Sequence, residues 1–273
     1  MDFSAFRMTV NAVENAGGTI PDAYSQTLTK WENFRNTGTP NTDRLAAAMA
    51  DPKATDLSEL RALAIAEHAA ITQIGAVNVA LEPIVFQQLK DAYATVARSN
   101  YDTIADKFNT AAKTLTDAVA AVNVEATGDE AITWDTKRQQ HWSKASLAAT
   151  ELDRVVPQLQ AAASLLGIVT ARVEEQLALT CQPGNLHRRR VWEAWENNDG
   201  RTGRWGKLAS LGVTIGAADP DNHASYHQPR PMETRQERTT NEGFGGVRMV
   251  QYDPEDNPNA TPRDTSSDML VLR

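Results

Sequence analysis

The sequence predicts an all-α protein built on one long antiparallel helical hairpin, coiled-coil-like, with a small N-terminal helical head and an extended or disordered C-terminal tail. Three observations predict it. Two stretches, 84–124 and 132–180, repeat apolar residues every seven positions with few helix breakers. A short turn-forming run, Asn123 to Glu130, separates them. Beyond Gly216 hydrophobic density falls and six of the twelve prolines gather. The chain divides accordingly into a short-helix head (1–55), the hairpin (56–184), a basic Trp-containing knuckle (185–215) and a polar, Pro-rich tail (216–273).

In the head, Phe3, Phe6, Val10 and Val13 share one helical face, and Gly17-Gly18 ends that helix. Tyr24, Leu28, Trp31 and Phe34 form a second stripe, and an Ala-rich piece runs from Arg44 to Ala50. Pieces this short are unstable alone and must pack on something. Asp56-Leu57-Ser58-Glu59 reads as a capping box. Pro83 removes a backbone donor from the helix that follows, which predicts a kink or short break there.

In the second long stretch Ala145, Leu152, Leu159, Leu166 and Val173 fall seven apart. So do Trp142, Ala149, Val156, Ala163, Thr170 and Leu177. This seam predicts one helix of about 73 Å over 132–180, antiparallel to the first because the turn is short. The apolar edges of such a hairpin need cover from the 57–82 segment, the head or other copies.

Formal net charge is -8, which argues against bulk attraction to nucleic acid or anionic lipid. The charge is uneven. Residues 185–215 hold six basic against three acidic residues, between two acidic stretches. There Arg188, Arg189, Arg190 and Arg204 lie among Trp192, Trp195 and Trp205. Arg pairs with carboxylate or phosphate and Trp stacks, so the knuckle is predicted to contact an acidic protein surface, with nucleic acid as the alternative use of 187–207. The tail offers two further contacts. Val247, Met249 and Val250 sit in a strand-like run, 247–252, able to add to a partner's sheet edge. Met269, Leu270 and Leu272 are suited to an apolar groove.

Nothing points to catalysis, a cofactor or a metal. His223 and His227 are four apart, but the surrounding DNHASYHQPRP is not helical, so they read as solvated loop histidines. The run Gly243 to Gly246 lacks the Lys-Ser/Thr of a phosphate loop. The single cysteine, Cys181, cannot form an intrachain disulfide. The N-terminus has no basic and then apolar run, so no signal peptide is expected, and no stretch approaches ~20 apolar residues.

The heptads of Trp142–Leu177, the cluster Arg188–Trp195 and the tail Gly216–Arg273 resemble, in composition, structural and assembly proteins (scaffold-like or minor virion proteins) of tailed phages of actinobacteria. That resemblance implies a non-enzymatic, oligomeric virion-assembly protein, cytoplasmic in the host and then associated with a capsid, connector or scaffold. It assigns no functional residue. The chain resembles more faintly the helical hairpins exported by type VII secretion. The Tyr252 to Asp256 spacing is the likeness, and the missing Trp-x-Gly turn between the helices is the departure.

Overall fold

In the computed structural model the described residues are 1–36, 38–51, 53, 56–239 and 246–256. They are mostly helical. The chain forms two compact units, Met1–Ile104 with Leu165–Gly167, and Ala105–Ser164 with the chain from Ile168 onward.

The first unit opens with α1 (Phe3–Asn15), where Asp2 accepts a hydrogen bond from the Ala5 amide at 2.7 Å. Gly17, at φ 97°, ends α1 as the sequence predicts. Next come α2 (Asp22–Arg35), entered through Pro21, and α3 (Pro40–Ala50), whose first residue is a proline that needs no amide partner. The long α4 (Ser58–Ala121) runs without a break through Pro83, so no interruption falls there. Its axis turns by 56° between Ser58–Ala70 and Ile74–Ala121. Phe3, Phe6, Val10, Tyr24 and Trp31 bury against Leu89, Tyr93 and Ala97 of α4. Phe6 meets Phe86 and Tyr93 edge to face at 5.5 and 6.1 Å, an arrangement that adds to the area term. Buried Asn100 fixes the loop after α1. Its Oδ1 accepts from the Thr19 amide at 2.8 Å, and its Nδ2 donates to the Thr19 carbonyl at 2.9 Å and the Tyr93 hydroxyl at 3.0 Å.

The second unit takes the end of α4, the single turn α5 (Gly128–Ala131) and α6 (Thr136–Leu165). The predicted seam is buried at Ala145, Ala149, Leu152, Leu159 and Ala163. The Trp142 indole donates to the Ala126 carbonyl at 3.0 Å. One helix over 132–180 is not what forms. α6 stops at Leu165, and Gly167 takes φ 85°. The Ile168 amide then reaches back to the Ala163 carbonyl at 3.1 Å, the long backbone bond of a glycine-terminated helix. After this break α7 (Val173–Thr180) starts afresh, and Val173 is exposed rather than in a seam.

Strand β1 (Cys181–Gln182) then leads to α8 (Arg188–Glu196), α9 (Gly203–Ser210) and β2 (Thr214–Ile215), which pairs antiparallel with β1. The tail is not uniformly irregular. A 3-10 turn at Pro220–Asn222 precedes an antiparallel hairpin of β3 (Glu233–Thr239) and β4 (Gly246–Tyr252), in register Glu233↔Tyr252 to Thr239↔Gly246. The strand expected at 247–252 is therefore present, but one of its edges is already taken by β3. Among the described residues no single helix is long and apolar enough to cross a membrane.

Candidate interaction site

The basic, aromatic knuckle divides into residues that make its own core and residues that hold the tail. Trp195 and Trp205 belong to the first group, at 2% and 1% exposure. Their rings meet edge to face at 5.6 Å, and Trp205 meets Phe108 at 5.8 Å. The Trp205 indole donates to Asp153 Oδ1 at 2.8 Å, as a buried indole N–H requires. Arg204 lies over the Trp195 ring, 4.9 Å from its centroid. Trp195 and Trp205, expected as partner contacts, are thus buried inside this unit, where apolar area is removed from water.

Glu125 ties this knuckle to the loop after α4. It accepts from the Arg201 and Thr202 amides at 2.7 and 3.0 Å and from the Thr202 hydroxyl. Burial alone would raise its carboxyl; the Thr202 hydroxyl and the two amides outweigh that and hold it below the usual carboxylate range. Gly200, at φ 96°, lets the backbone come this close, since a Cβ there would sit 2.4 Å from Glu125 Oε2. The Arg201 guanidinium stacks on Trp142, 3.4 Å from the ring centroid, and donates to the Val124 carbonyl at 2.8 Å.

The acidic surface expected opposite the arginines lies within the chain itself. Arg189 grips Asp253 with Nε and Nη2, the latter at 2.9 Å, and also donates to the Arg230 carbonyl. The Arg189 fork holds the Asp253 carboxyl below its ordinary range. Arg188 lies 3.6 Å from Glu255, which also accepts from the Arg230 amide at 2.9 Å. His187 Nε2 is 2.9 Å from Asp256 Oδ1. Trp192 stacks flat on Tyr226, with 6.1 Å between centroids, and the Tyr226 hydroxyl donates to the Arg188 carbonyl at 3.0 Å. Burial pushes the Tyr226 phenol up to about 12. Arg190 is exposed. On β4, Val247 and Met249 are exposed and Val250 is half-buried. Met269, Leu270 and Leu272 lie outside the described residues.

A groove of about 920 Å³ runs between 182–188 and 218–227, lined by three of the five histidines, His187, His223 and His227. His223 is not a solvated loop residue. Its side chain is 10% exposed and its Nε2 is 3.6 Å from the buried Glu175 carboxylate. Cys181 lines the floor, where burial pushes its thiol up to about 12 and leaves it a poor nucleophile. Among the described residues one set has ligand spacing for a cation, His187, Asp253 and Asp256, whose donor atoms lie within 4.8 Å of one another. A cation there would compete with Arg189, which already occupies both Asp253 oxygens.

Exposed aliphatic side chains occur in several elements, Ile132 and Leu147 among them, and five lie close together in sequence at the start of α4. Leu63, Ile65, Val77, Val79 and Ile84 are 41%, 59%, 44%, 75% and 56% exposed. A Cβ placed on Gly75 would meet nothing within 4 Å. Among the residues of 58–84 whose side chains are described, Ala64 is the buried apolar one. The sequence signal was present, as an Ala-rich run apolar on all sides, but it reads equally well as a covered core helix. Compared with family models, with curated proteins and with solved structures, the chain matches none.

Proposed function

We propose that this chain is a non-enzymatic structural or assembly protein that works by helix packing, of the kind that builds or accompanies a phage virion. The observation that carries this reading is the exposed apolar stretch 58–84 of α4. Large aliphatic side chains concentrated on one helix mark a contact surface, because leaving them in water forfeits about 25 cal/mol per Å². The buried positions of α4 and α6, Phe108, Leu115, Leu152 and Leu159 among them, support the long antiparallel hairpin on which this reading draws. The virion setting rests on the compositional resemblance alone.

The alternative, nucleic-acid contact through 187–207, is opposed by the arginines' present engagements. Arg189 is held by Asp253, and Arg201 is stacked on Trp142. Light scattering on the purified full chain tests the assembly reading. We expect a mass of several chains that falls on dilution. A concentration-independent single-chain mass would refute it.

A further inference from the structure

The three carboxylates that follow β4 sit against the start of α8 as a ligand sits in a binding site. Arg189 takes Asp253 in a two-pronged grip, with its Nη2 at 2.9 Å. Arg188 lies 3.6 Å from Glu255, and His187 Nε2 lies 2.9 Å from Asp256 Oδ1. Pro254 is buried, and its carbonyl accepts from Arg230. The Asp253 and Glu255 side chains are 11% and 5% exposed. The segment Asp-Pro-Glu-Asp is thus met residue by residue, with each carboxylate opposite its own cation.

The chain leading into this segment is held far less. Among the described residues no side chain from His227 to Asp253 is buried. The hairpin's charges close on one another. Glu237 takes Arg235 and Arg248, and Glu233 takes the Tyr252 hydroxyl. Its base is fixed by Arg189, which donates to the Arg230 carbonyl. A segment held mainly by ion pairs, which water also satisfies, can leave its place without uncovering a core. The chain's own segment has the advantage of its tether, an effective concentration on the order of millimolar. A neighbour's segment matches that where copies are held together.

We infer that His187, Arg188 and Arg189 form a socket for an acidic Asp-Pro-Glu-Asp segment, filled in the single chain by its own residues 253–256 and open to the same segment of a second copy. The second copy is the occupant because its segment carries the same carboxylates at the same spacing and makes the same contacts. Exchange of an identical element is a low-cost link between protomers. This rests on the assembly reading, in which helix packing brings copies close, and adds the contact that ties one copy to the next.

The test uses full-length proteins and a fluorescent peptide with the sequence of residues 246–256. One variant carries Asp253→Asn, Glu255→Gln and Asp256→Asn, which neutralise its own segment and free the socket. Where circular dichroism shows lost helix, Asp253→Asn with Asp256→Asn serves instead. The freed variant should bind the peptide about tenfold or more tightly than wild type, whose own segment competes. Added salt should weaken this binding, and the further changes Arg188→Ala and Arg189→Ala should abolish it. A chain with those two arginine changes alone keeps its acidic segment and should displace the peptide from the freed variant. No peptide binding by the folded, freed variant overturns the inference and makes 253–256 a fixed latch. Equal binding of a scrambled peptide overturns it too, as does tighter binding of a single-stranded oligonucleotide, which would assign the site to nucleic acid. Peptide binding does not draw on 58–84. A single-chain wild type therefore removes the assembly reading, while binding by the freed variant would still establish the socket.

Discussion

The knuckle with its acidic strap and the opening stretch of α4 are opposites. From the sequence, the knuckle looked ready for a partner, with three consecutive arginines and three tryptophans. In the structure Arg189 and Arg188 meet Asp253 and Glu255, the Trp205 indole meets Asp153, and Trp195 packs on Trp205. The α4 stretch looked like material to be buried, yet it leaves Ile65 and Val79 more than half exposed. Charge and aromaticity advertise contacts, but a neighbouring loop of the same chain can meet them first. Aliphatic surface has no such local remedy, because covering it takes another element of comparable length.

Matched substitutions break or sharpen this contrast. The largest effect is expected from Trp205→Ala, which leaves a cavity beside Phe108 and Trp195 and an unpaired Asp153. It should cost about 3–5 kcal/mol in denaturant unfolding. Glu125→Ala leaves the Arg201 and Thr202 amides without their acceptor and should cost about 1–3 kcal/mol by the same measurement. Arg189→Ala releases Asp253 and should cost about 1 kcal/mol, appearing first as faster proteolysis within 230–256. Val79→Lys should change the stability of the isolated chain by less than about 0.5 kcal/mol while lowering the mass in solution.

Acid should act on the knuckle through Asp253 and Glu255. Asp253 is held low by Arg189, and Glu255 by the Arg230 amide with help from Arg188 and Arg230. Groups whose folded pKa is depressed contribute stability above their unfolded values, about 3.9 for Asp and 4.3 for Glu. That contribution is lost as pH falls through the folded values. Melting temperature should therefore drop from about pH 5 downward, and Arg189→Ala should flatten part of that drop.

Some of this fold was legible in the residues. Phe3, Phe6, Val10 and Val13 define one face of α1, and all four are buried. Ala145, Leu152 and Leu159, spaced at seven, are buried on α6. The seam failed after Leu165 because seven-residue spacing continues through Gly167, whose φ of 85° ends the helix whatever follows. Strand β3 reads ETRQERT, with no apolar face to signal it, and is held by pairing with β4. The Glu125 clamp joins residues 76 apart in the chain. That pairing exists only once α8 and α9 have folded back, so no local pattern announces it. Trp195 and Trp205 illustrate the remaining ambiguity. An aromatic ring in a basic helix looks the same in sequence whether it faces a partner or its own core.

The central claim is that 58–84 is a contact surface through which copies of this chain assemble. An environment-sensitive dye on Val79→Cys reports on it directly, since native Cys181 is buried and its thiol is held neutral. As protein concentration rises, the account predicts a blue shift and loss of quenching by iodide, in step with mass. A dye that stays fully quenchable at every concentration, on a chain that remains single, would contradict it.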